Sequence, residues 1–166
     1  MRYLSKLRWC CCLAFLSLSG LSSANMQQDC KESLLTKDQK KTVEALVNEA
    51  QDLLQKNGFI KARKELMSSK FCQKDLYIFI IDHEHHALMN CGRPDFVGKD
   101  LSVVPDARDS AEKIMKKAAE GGGWVSYIWK SPNTHSLRCK TSWVTPFIED
   151  RHDQKQSYSV GAGIEH

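Results

Sequence analysis

The sequence predicts an α+β domain: a curved antiparallel sheet of about five strands with a long N-terminal helix and a second helix packed on it. Three observations predict it. Between Lys31 and Asn57 apolar residues recur mostly at spacings of three and four, the period of an amphipathic helix. Later runs rich in aromatic and β-branched residues read as strands. Short Gly, Pro or polar stretches join most neighbouring runs, which makes the strands antiparallel and leaves the helices to cover one face.

The long helix rests on Leu34, Leu35, Val43, Leu46, Val47, Ala50, Leu53 and Leu54. Thr36 with Gln39 forms a capping-box pattern, which places the regular start there. Asn57-Gly58 ends it, since glycine accepts the left-handed conformation that closes a helix. A shorter helix, Phe59 to Met67, follows. Leu76 to Ile81 is apolar at every position and reads as a strand buried on both faces, with Ala87 to Asn90 returning as a hairpin partner. Pro94, Gly98 and Pro105 mark Gly92 to Asp106 as a loop with room for a short helix. Asp106 to Glu120 is helical and Gly121-Gly122-Gly123 stops it. Strands then cover Trp124 to Lys130, Arg138 to Ile148 and Tyr158 to Ile164.

A chain of 166 residues suits one domain. Residues 1–24 read as a signal peptide: Arg2, Lys6 and Arg8 precede a short apolar stretch, and Ser22-Ser23-Ala24 supplies small residues for cleavage. That stretch falls short of the roughly 20 residues a membrane span needs. The expected product is residues 25–166, periplasmic or secreted, with no membrane span after cleavage. Losing three basic residues takes Lys plus Arg from 24 to 21 against 20 acids, so nothing calls for nucleic acid. Cys30, Cys72, Cys91 and Cys139 remain, an even set in an oxidising compartment. Three pairings are open; Cys30 with Cys72 and Cys91 with Cys139 is favoured, because the first two flank the helical region and the last two the sheet.

The order long helix, "LYIFIIDHEHHALMN", "DFVGKDL", helix, "GGGWVSYIW", "KTSWV" and closing "YSVGAGI" resembles a single Cache domain, the extracellular small-molecule sensor of bacterial chemoreceptors and sensor kinases. The resemblance runs from about Thr36 to about Ile164 and implies a PAS-like curved sheet that binds a small ligand. Asp82 and Glu84 match the family's acidic hairpin positions, while His85 stands where glycine is frequent. Asn90-Cys91 replaces a frequent His-Pro, a departure from the family's pattern, and Asn90 is kept as the candidate ligand contact at that position. Tyr127 and Trp129 match an aromatic pair on the ligand-facing strand. Lys140 matches the basic residue of a Lys-x-x-Tyr pattern, and Trp143 stands at its tyrosine.

Tyr127, Trp129, Lys140, Trp143 and Asn90 are therefore the candidate ligand-binding residues. Two aromatic donors and a lysine in a half-apolar pocket suit a carboxylate, because burying the lysine is costly unless an anion neutralises it. The plain alternatives are core aromatics and a solvated strand-end lysine. His83, His85 and His86 point to a solvated turn rather than a metal site: in extended backbone His83 and His85 face one way while Glu84 and His86 face the other, and the His-Glu-x-x-His spacing is missing. No nucleophile elbow, Cys-x-x-Cys or dinucleotide fingerprint occurs, so no enzyme activity and no cofactor are expected. The chain ends soon after its last strand, which predicts a sensor-type domain acting without its own transmembrane signalling region. Its expected partners are a small organic acid and a membrane receptor or kinase. Metal-binding or protein-interaction modules are the alternatives, with a small hydrolase behind them.

Overall fold

The computed structural model describes residue 30 and residues 34–151 and 154–166. The expected signal segment, residues 1–24, lies outside the described residues. The first helix, α1 (Lys37–Leu66), opens with the expected capping box: Gln39 N donates to Thr36 Oγ1 at 3.2 Å, and Thr36 N donates to Gln39 Oε1 at 2.8 Å. Gly58 breaks it with a left-handed φ of 70°, and Phe59 N restarts the helix by donating to Glu149 Oε1 at 3.1 Å.

Strands β1 (Ile78–Asp82) and β2 (Ala87–Asn90) follow, then a short 3-10 turn (Pro94–Phe96) and helix α2 (Arg108–Ala119). Strands β3 (Gly123–Lys130), β4 (Leu137–Arg151) and β5 (Gln154–Glu165) complete a five-stranded antiparallel sheet of order β2-β1-β5-β4-β3. The glycine triplet stops α2, with Gly121 N and Gly122 N donating to the carbonyls of Ala118 and Lys117.

β4 and β5 outrun their expected ends. Pro146 falls where β4 has passed the last β3 partner, the Gly123–Val144 pair, so its missing N–H breaks no bond on that side.

The helices do not share a face. α1 packs on Ile78, Ile80, Phe147, Tyr158 and Val160, whereas α2 packs with Phe79, Ile81, Tyr127, Trp129 and Val144 on the other side. The reason stands in β1, whose first four residues are all apolar and all buried, so that each alternate set needs its own cover. Leu76 and Tyr77 lie before β1 rather than in it; Tyr77 forms an isolated bridge with Cys72.

The favoured cysteine pairing is overturned. Cys30 bonds Cys139 and Cys72 bonds Cys91, with Cα atoms 5.3 and 5.4 Å apart. The turn that carries Cys72 back to Tyr77 lies beside the end of β2, so Cys91 is the thiol within its reach.

Candidate functional site

The α2 face of the sheet carries the candidate site. Residues directly opposite on neighbouring strands share a face; Tyr127 faces Lys140, and Val125 faces Ser142. Tyr127, Trp129, Lys140 and Asn90 meet around one closed cavity, with Phe79 and Ile114 among its apolar walls. The remaining space, about 10 Å³, is the room of one water.

Lys140 is 1 % exposed, with Nζ 3.9 Å from the centre of the Tyr77 ring and 5.2 Å from Trp129. These ring faces hold its charge by cation–π attraction. Burial pushes its ammonium pKa down to about 7, against the opposing pull of the Glu165 carboxylate. Tyr127 Oη and Ser142 Oγ share a hydrogen bond of 2.8 Å, and burial drives the Tyr127 phenol well above its ordinary range. Trp129 Nε1 and Tyr77 Oη are buried beside each other without a well-formed hydrogen bond. Asn90 Oδ1 accepts from Arg93 N at 2.9 Å, which fixes the start of the loop after β2.

Trp143 is not in the cavity. It pairs with Trp124, edge to face at 5.5 Å, and packs against the core under α1. An offset of three along a strand puts Lys140 and Trp143 on opposite faces. Four of the five expected residues therefore converge and the fifth does not. Tyr77 and Glu165 join them unexpectedly: Tyr77 precedes its strand, and Glu165 reaches Lys140 only through the β4–β5 register.

The histidine turn is built on Asp82, whose Oδ1 accepts from Glu84 N at 2.9 Å and His86 N at 2.8 Å. His85 takes a φ of 71°, the left-handed conformation that favours glycine. His83 and His85 stay out of any cluster, but Asp82, Glu84 and His86 bring ligand atoms within 4.8 Å of one another, closer than extended geometry predicts. These three residues are the set that could hold a cation.

The architecture is thus a five-stranded antiparallel sheet covered by helices, with a lysine buried under α2. The sequence matches the Cache domain family over residues 43–164, and the chain belongs to that family. A methyl-accepting chemotaxis protein from Vibrio parahaemolyticus RIMD 2210633 has a similar fold, with TM-score 0.60 and 17% identity over 77% of this chain and 88% of that one. A structure described as "Structural basis for carboxylic acid recognition by a Cache chemosensory domain" gives TM-score 0.57 and 21% identity over 81% and 98%. The periplasmic sensor domain of a chemotaxis protein gives 0.53 and 25% over 80% and 97%. No curated protein sequence matches. Among the described residues no helix is long and apolar enough to cross a membrane.

Proposed function

We propose that this Cache domain senses a small organic acid, bound with its carboxylate against Lys140. The burial of Lys140 carries the reading. An ammonium removed from water among aromatic rings gains most from an anion that enters with it. Trp129 Nε1, which makes no well-formed hydrogen bond, offers a second donor, and the apolar walls beyond suit a short hydrocarbon chain. One similar structure is described as recognising carboxylic acids, which agrees with this chemistry. The basic and apolar start of the sequence and the periplasmic setting of a similar domain support export, with a membrane receptor or kinase as the partner that reads the bound state.

A thermal-shift screen of short monocarboxylates, dicarboxylates, amino acids and divalent metals tests this reading. A monocarboxylate at 100 times its dissociation constant should add about 2.7 kcal/mol of stability, and Lys140→Met should abolish the shift. If acids do nothing while zinc raises the melting point through Asp82, Glu84 and His86, the domain is a metal binder instead.

A further inference from the structure

The closed cavity has to enlarge before even a two-carbon acid fits, because its free space is about 10 Å³. Most of its walls are held by the fold. Phe79, Ile81, Tyr127, Trp129 and Lys140 sit in hydrogen-bonded strands, and Ala111 and Ile114 sit on α2 within the core. Tyr77 differs. It precedes β1, its backbone is held by one isolated bridge to Cys72, and its ring lies over Lys140 Nζ at 3.9 Å.

The phenol end of that ring abuts Gly92, where a Cβ would overlap Cζ, Cε1 and Oη. Gly92 and Arg93 line an outer basin of about 380 Å³ together with Lys130, Ser131, Pro132 and His135. The Tyr77 ring thus stands between the buried ammonium and a space large enough to receive it. Its hydroxyl makes no well-formed hydrogen bond where it lies, its one hydrogen-bonding neighbour being the Trp129 indole, so leaving that position forfeits little.

We propose that Tyr77 is a built-in stand-in for the ligand: its ring face holds the Lys140 charge in the empty domain and swings toward the outer basin when a carboxylate takes its place. This rests on the carboxylate reading of the cavity. It makes Tyr77 a competitor of the ligand, which sets both affinity and the extent of movement on binding. A recognition residue and a competitor respond to mutation with opposite sign.

The experiment is calorimetric titration of propionate into wild type, Tyr77→Leu and Tyr77→Phe. Leucine removes the aromatic face, so propionate should bind roughly two- to thirty-fold more tightly, the reach of a cation–π contact. Phenylalanine keeps the face, so its affinity should stay within about two-fold of wild type. Weaker binding by folded Tyr77→Leu or Tyr77→Phe would make Tyr77 a recognition residue and overturn the proposal, as would unchanged affinity in Tyr77→Leu. Should Tyr77→Leu fail to fold, the wild type answers by NMR: the nuclear Overhauser contact between the Tyr77 ring and the Lys140 ε-methylene should vanish at propionate saturation, and its persistence would overturn the proposal. A wild type that binds no carboxylate removes the functional reading and this inference together. Binding with the wrong sign in the variants removes this inference alone.

Discussion

Glu165 lies directly opposite Lys140 across the β4–β5 ladder, on the face that lines the cavity. Its carboxylate holds up a lysine that burial alone would push further below its ordinary range. The free domain therefore keeps its Lys140 poised between charged and neutral near neutral pH.

Stability should rise with pH above neutrality. The folded Lys140 pKa of about 7 lies below its ordinary value of 10.5, so between these two the unfolded chain binds a proton that the folded one has lost. The charged-lysine penalty is fully present below about pH 7 and is relieved as pH climbs toward 10. The full span is roughly 5 kcal/mol. Urea denaturation across this range should show the rise in wild type and a flatter profile in Lys140→Met; equal slopes would contradict the burial of the charge.

Carboxylate affinity should move the opposite way. Binding needs the ammonium, so affinity should fall above about pH 7, by up to roughly tenfold per unit. Glu165→Gln removes the group that raises the lysine pKa, so the midpoint of this loss should shift to lower pH. Calorimetry at several pH values checks both.

Gly92→Ala should destabilise the fold by about 1–3 kcal/mol, because the new methyl overlaps the Tyr77 ring and forces it off its seat over Lys140. The cost should shrink in a Tyr77→Leu background, since the two changes share one space. A double-mutant cycle by chemical denaturation reads the coupling, and additive costs would place the strain elsewhere.

The sequence pattern went far on architecture and less far on the site. β2 and the capping box at Thr36 fall where the local pattern places them, because each is decided by a few adjacent residues. Both faces of β1 are also legible, although covering only one face with helices contradicted that strand's own pattern. Trp143 could have been separated from Lys140 by counting alone, since an odd offset changes face. Tyr77 and Glu165 were hidden because their contacts with Lys140 come from strand order and a bridge outside the regular sheet. The cysteine pairing was hidden for the same reason.

Peptide mapping without reduction should recover Cys30 linked to Cys139 and Cys72 linked to Cys91. The first bond spans 109 residues and the second 19. Replacing each pair by serine should therefore cost unequally, about 5 kcal/mol for the first and about 3 for the second by loop entropy.

His85→Gly should stabilise the hairpin by about 1 kcal/mol, because glycine adopts the observed φ of 71° without a Cβ penalty. His83, which lacks that conformation, should gain nothing from the same change. Denaturation midpoints of the two variants separate them.

The most direct measurement is NMR titration of the Lys140 side chain with and without propionate. The free domain should show its ammonium losing its proton near pH 7, and saturation with propionate should hold it charged at least one unit higher, as a buried ion pair requires. A Lys140 that titrates near its ordinary value, or one that ignores propionate, would contradict the carboxylate site.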